Sequence, residues 1–300
     1  MCILLLGKEG QVGKHLQETL ATVGQVIALS RKELDLEDLY EVERQLNHYK
    51  PTVIVNAAAY TAVDNAENNQ DLAFLINADV VHVLANYAKH HHALLLHYST
   101  DYVFDGLKSS PYHETDPTHP QTVYGLSKRA GELAILESHC NFIIFRTSWV
   151  FSTHGHNFIK TILNLAKEQE NLNVVSDQHG TPTSAAFIAQ ITALAIDAYQ
   201  KKQMNDGIYH LTALGITTWH ALACYVTHQA TALGMTLKLS QEKIHPVSSD
   251  NYPRPAQRPL NSSLDTSKLK EALSLRIKPW QSYVDETLLH LAHQQHEVML

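Results

Sequence analysis

Three hundred residues with 44% hydrophobic and 18% charged content describe an ordinary globular chain, long enough for one large domain or two modest ones. The balance of 23 Lys+Arg against 30 Asp+Glu leaves a formal charge of -7, which argues against a nucleic-acid partner. Three scattered cysteines (Cys2, Cys140, Cys224) form neither a disulfide framework nor a zinc pattern, and no run reaches the roughly 18 apolar residues of a membrane span.

The apolar run 2–6 lacks the basic lead and the length of a signal peptide and reads as a first buried strand. A glycine turn and a helix over 12–23 follow, then a strand at 26–30 and an amphipathic helix over 36–49. Pro51 punctuates before a third strand at 52–59. Residues 71–90 read as one long helix, because Leu72, Leu75, Ile76, Val80, Val83 and Leu84 recur at three- and four-residue spacing. The run His90-His91-His92 reads as a solvated helix end rather than a metal site. Strands at 93–99 and 142–147 flank another helix. Continuous apolar strands alternating with helices predict an α/β fold, a doubly wound parallel sheet of Rossmann type with ligands at the carboxyl ends of its strands.

Beyond residue 152 the rhythm loosens. Helices are expected at 158–168, 184–199 and 218–233, a polar loop at 176–183 and a strand at 208–212. The stretch 246–259, with its prolines and two arginines, reads as an extended lid-like loop. We therefore expect an NAD(P)-binding domain over 1–151, joined by parts of 181–213. A smaller domain would comprise 152–180 and 214–300.

Gly7, Gly10 and Gly13, with Gln11 and Val12 between them, lie between the first strand and the first helix. Glycines there permit a tight turn and close backbone approach, and the helix amino end suits a pyrophosphate. At the end of the second strand stand Ser30 and Arg31, a hydroxyl and a guanidinium suited to a 2′-phosphate, so NADPH is expected to be favoured. Asp35 and Leu36 could frame the adenine instead and leave NADH usable.

Tyr124 and Lys128 are spaced to share one helix face. A ketone receiving hydride needs a proton, and a nearby ammonium makes a phenol a better donor at neutral pH. Tyr-x-x-x-Lys is a common spacing by chance. Its place downstream of Ser99 and Thr100, at the end of the fourth strand, gives it the context of a Ser/Thr–Tyr–Lys triad.

With these motifs, the chain resembles the dTDP-4-dehydrorhamnose reductases of the extended short-chain dehydrogenase superfamily. The resemblance also runs through 55–64, 98–104 and 145–150, and through 177–183, 217–220 and 258–262. It implies reduction of the 4-keto group of dTDP-4-dehydro-L-rhamnose by Thr100, Tyr124 and Lys128. It also implies a cofactor strip through Ala58, Ala59 and Thr61, and a sugar site of Thr61, Val63, Asp101, Tyr102 and Trp149. The Trp149 ring is expected to pack on a pyranose face, and Arg254 and Arg258 to offer charge to the diphosphate. Tyr102 replaces the glutamate of the related 4,6-dehydratases, which argues against elimination. Some family members dimerise around Mg²⁺ held by three glutamates. The matching positions here are His15, Phe187 and His290, so no Mg²⁺ is expected; a softer metal between His15 and His290 is the one metal reading left. The implied protein is cytoplasmic, a monomer or homodimer, with a small nucleotide sugar as its partner. Two alternatives stay open: reduction of a different nucleotide-activated keto-deoxysugar, and a non-catalytic NADP-binding chain like the regulatory subunit of methionine adenosyltransferase.

Overall fold

The apolar runs of the first half assemble side by side in a computed structural model that describes residues 1–299, with side chains described through residue 294. Six strands form one parallel sheet: β1 Cys2–Leu6, β2 Gln25–Leu29, β3 Val53–Asn56, β4 Leu94–Thr100, β5 Asn141–Thr147 and β6 Gly207–His210. Their spatial order is β6-β5-β4-β3-β1-β2. The sequence expectation of a doubly wound α/β fold is met.

Alternate side chains of these strands enter two cores, as strand geometry requires. Ile3, Leu5, Val55, Leu96, Ile143 and Phe145 face one side. There they meet α1 Gln11–Ala21 and α6 Ala185–Gln200 through Leu16, Leu20, Ile188 and Ile191. Leu4, Leu6, Ile54, Leu95 and Ile144 face the other. They meet α2 Leu39–Tyr49, α3 Val80–His91 and α4 Val123–Ser138 through Val42, Leu46, Val81, Leu84 and Ile135. Both faces are buried, which is why the strands read as unbroken apolar runs rather than alternating ones.

The helices α5 Phe158–Glu168, α7 Trp219–Ala232 and α8 Trp280–Met299 belong to the later half. Side chains from Asn157 and Thr218 cap α5 and α7 by accepting from Lys160 N and Ala221 N. Among the described residues no helix is long and apolar enough to cross a membrane.

Two expectations need correction. The helix expected over 71–90 is three pieces, Gln70–Phe74, a wide π turn at Leu75–Asp79, and α3. Asn77 explains the turn: its buried side chain accepts from Tyr60 N at 2.9 Å and donates to Tyr60 O at 3.1 Å and Ser127 Oγ at 3.0 Å. Such turns mark places where a helix is locally reshaped, often at functional sites. The stretch 246–259 is also less free than a lid. Residues Ile244–Val247 form a strand parallel to Leu172–Val175, and Asp177 accepts from Ser248 Oγ, Ser249 N and Ser249 Oγ.

Candidate active site

The carboxyl ends of the strands open onto a cavity of about 930 Å³. Its floor at one end is the glycine turn. Gly7 adopts φ +83°, a conformation open to glycine. A Cβ on Gly13 would lie 2.0 Å from the Gly7 carbonyl oxygen, so Gly13 serves the turn by carrying no side chain and does not itself line the cavity. Gly7, Gly10, Gln11 and Val12 do line it. Gly10 caps α1 with no side-chain bond, and the first turn carries no acid, which leaves an amino end suited to an anion.

Ser30, Arg31, Asp35 and Leu36 line the same cavity beyond β2. Their polar groups are engaged locally. Arg31 is exposed and pairs with Glu37 and Asp35, while Ser30 Oγ donates to Glu33 Oε2 at 2.8 Å. Glu33 also pairs with Lys8, whose ammonium holds that carboxyl down at about 2. Ala58, Ala59, Thr61 and Val63 continue the wall after β3.

Thr100 ends β4, donates to Asp101 Oδ1 at 2.9 Å and accepts from Tyr102 N at 3.2 Å, so its side chain starts the short turn Asp101–Val103. Thr122 caps α4 by accepting from Gly125 N, which starts the helix at the cavity edge. One turn apart on it, Tyr124 and Lys128 both line the cavity with Thr100, Asp101 and Tyr102. The Tyr102 ring meets that of Tyr124 edge-on at 5.6 Å.

The electrostatics differ from the simple picture of an ammonium sharpening a phenol. Burial pushes Tyr124 up to about 12, with the Thr100 hydroxyl opposing. Burial pulls Lys128 down to about 7, opposed by Glu132. Lys128 Nζ donates to Tyr98 O at 2.6 Å and lies 3.1 Å from His97 Nε2, so its bonds run to β4. Burial also raises Asp101 to about 6. Among the described residues, Asp101 Oδ2 and Thr147 Oγ1 have no hydrogen-bond partner. Both residues line the cavity, and buried polar atoms left open in this way are ready to meet a ligand.

Trp149 lines the cavity, but one of its faces is taken. The Trp219 ring stacks on it with centroids 3.5 Å apart and planes 8° apart. Trp219 thus shares the wall, a place that no local pattern in its own segment reveals. Arg254 is not brought to the cavity: it is exposed, with its guanidinium 4.8 Å from the Tyr252 ring centre. Arg258, half-buried, is held by Asp64 Oδ2 at 2.8 Å. His15 Nε2 lies 3.0 Å from Ser152 Oγ, Phe187 is buried against Tyr283, and His290 is exposed on α8. Among the described residues no group of three or more His, Cys, Asp or Glu could hold a metal ion.

Known proteins are similar to this chain over nearly its full length. The RmlD substrate binding domain family matches residues 1–293. The dTDP-4-dehydrorhamnose reductase of Burkholderia thailandensis is 45% identical over 285 residues, covering 94% of this chain and 96% of the relative. The chain belongs to the dTDP-4-dehydrorhamnose reductase family. That makes it an oxidoreductase. The family member of Salmonella typhimurium is also 45% identical, over 97% of this chain and 98% of its own. A dTDP-4-dehydrorhamnose reductase from Bacillus anthracis, solved in complex with NADP, superposes with a TM-score of 0.87 at 32% identity, covering 96% of this chain and 99% of that one.

Proposed function

We propose that the chain reduces the 4-keto group of dTDP-4-dehydro-L-rhamnose to the alcohol of dTDP-L-rhamnose, using NADPH in preference to NADH. The observation that carries this reading is the meeting of Thr100, Tyr124 and Lys128 in the same cavity as Gly7 and Gly10. The NADP bound to the Bacillus anthracis relative supports a nicotinamide cofactor.

A nicotinamide, when bound, supplies hydride to the carbonyl carbon. The residues do the rest. The amino end of α1 at Gly10–Val12, free of any side-chain capping bond, faces the pyrophosphate. Ser30 and Arg31 hold the 2′-phosphate once Arg31 leaves Glu37; Asp35 and Leu36 frame the adenosine, and Ala58, Ala59 and Thr61 line the path to the reacting end. Lys128 holds the ribose. Tyr124 donates its phenolic proton to the ketone oxygen as charge develops there, so the phenol O–H breaks and the new alcohol O–H forms. A phenol held near 12 is protonated at neutral pH, the form a donor must take. Thr100 donates a hydrogen bond to the same oxygen.

The sugar lies against Val63, Asp101, Tyr102 and the exposed part of Trp149. Arg258, released from Asp64, meets the diphosphate, with Arg254 on the same segment as a second cation for it. On this reading residues 1–151 with 181–213 serve the cofactor, and 152–180 with 214–300 the sugar nucleotide.

The purified protein should oxidise NADPH only when the 4-keto sugar nucleotide is supplied, and Tyr124→Phe should cut turnover by at least about a hundredfold. Cofactor binding by Tyr124→Phe with undiminished turnover would discard Tyr124 as donor. Arg31→Ala should raise the KM for NADPH much more than that for NADH; equal effects would remove the 2′-phosphate assignment. We propose that no Mg²⁺ is needed, so activity should survive chelation.

A further inference from the structure

Behind the cavity wall runs a buried chain of polar groups. His97 on β4 is fully buried, with Lys128 Nζ 3.1 Å from Nε2 and Asn56 Nδ2 3.1 Å from Nδ1. Asn56, at the end of β3, is pinned in orientation because its Oδ1 accepts from Ala58 N at 3.2 Å. Its amide therefore presents a donor to His97, and Nδ1 must accept. A neutral imidazole has one donor and one acceptor nitrogen, so the proton sits on Nε2, facing Lys128. An ammonium has no lone pair and could not receive it; an amine can, while still donating to Tyr98 O.

We propose that Asn56 and His97 are positioning residues that fix Lys128 as a neutral amine in the unliganded site. Every group in the chain is satisfied in that state: Ala58 N to Asn56, Asn56 to His97, His97 to Lys128, Lys128 to the Tyr98 carbonyl. Adding a proton to Lys128 forces the imidazole into the other tautomer and sets two donors against each other at Asn56. Ligand atoms entering the cavity and accepting from Lys128 compensate for that loss, so the lysine gains its proton on binding.

The charged surroundings agree. His97 is held well below its ordinary value chiefly by burial, which keeps it neutral whatever the charge of Lys128. Glu132, one turn beyond Lys128 on α4, is the group that favours a charged lysine, but it is spent on Arg146 and Arg129. Tyr124, one turn before, is a protonated phenol. Burial draws Lys128 down, in the direction that the hydrogen bonds require.

The test uses the full-length, ligand-free protein with labelled lysine and histidine side chains, so it does not depend on which sugar or cofactor is used. NMR should show one lysine, absent from Lys128→Met, losing its proton near neutral pH at least about a hundredfold more readily than an ordinary lysine. Side-chain nitrogen shifts should place the His97 proton on Nε2. Asn56→Asp replaces the donor by an acceptor of the same shape. It should move the His97 proton to Nδ1 and raise the proton affinity of Lys128 at least tenfold. The new carboxylate favours both changes by its charge alone, so the wild-type tautomer and the wild-type Lys128 titration carry the decision. A wild-type His97 protonated on Nδ1, or a Lys128 titrating with the other lysines, overturns the proposal. So does a rise in lysine affinity without the tautomer change in Asn56→Asp. Should Asn56→Asp not fold, the two wild-type measurements decide alone.

Discussion

Asp101 keeps one carboxyl oxygen without a partner in a buried wall. Its folded-state value of about 6 lies above the ordinary 3.8. Between those values the folded protein holds a proton that the unfolded chain has released, so stability falls as pH rises through that window and stays low above it. Asp101→Asn should therefore stabilise the protein by about 2 kcal/mol at pH 7.5 and by little at pH 4, read by denaturant unfolding at the two pH values. Trp219 offers a second test at this scale. Removing it by Trp219→Ala leaves Trp149 without its stacked partner, and the KM for the sugar nucleotide should rise by roughly tenfold or more, with that for cofactor nearly unchanged. Much of the cavity wall was legible in the sequence, because the glycine turn, Thr100, and Tyr124 with Lys128 are each fixed by a local pattern on a recognisable element. Trp219 and His97 were not. Their roles arise from side chains 70 and 31 residues away in the chain (Trp149 and Lys128): the run 217–220 carries part of the family resemblance but does not show that Trp219 stacks on Trp149, and nothing near His97 marks Lys128 as its partner.

The π turn at Leu75–Asp79 shows what periodicity leaves out. Apolar spacing on both sides of it fits one helix, so the pattern ran straight through. What widens the turn is a polar side chain that finds partners in Tyr60 and Ser127. Asn77→Ala removes those bonds and leaves part-buried backbone groups of Tyr60 unpaired. It should cost about 2–3 kcal/mol in unfolding free energy and lower kcat, since Ser127 lies between Tyr124 and Lys128 on α4. Unchanged stability in Asn77→Ala would mean that the turn is held by something else. The six strands of the parallel sheet fared better, each anticipated along the chain with ends displaced by a residue or a few, because a strand buried on both faces announces itself by composition alone; their spatial order, and the pair Leu172–Val175 with Ile244–Val247, were not.

Across the whole molecule, α4 is clamped to β5 by a buried ion pair in which Arg146 Nε and Nη2 each lie 2.8 Å from a Glu132 oxygen. Glu114 extends the clamp, accepting from His210 N on β6 at 2.9 Å. Glu132→Gln strips the charge from one side and leaves a buried guanidinium uncompensated; about 3–5 kcal/mol of stability should be lost in equilibrium unfolding. Such long-range pairings have no sequence signature, since each partner alone is an ordinary helix or strand residue. The position of β6 has a practical outcome of its own. It comes from residues 207–210, long after the other five strands, and covers the outer edge of β5. A fragment ending at 151 would expose that edge as a template for other chains, so the first half cannot be excised and grafted as a standalone module. Any transplant would have to carry the second half along, or supply a substitute strand.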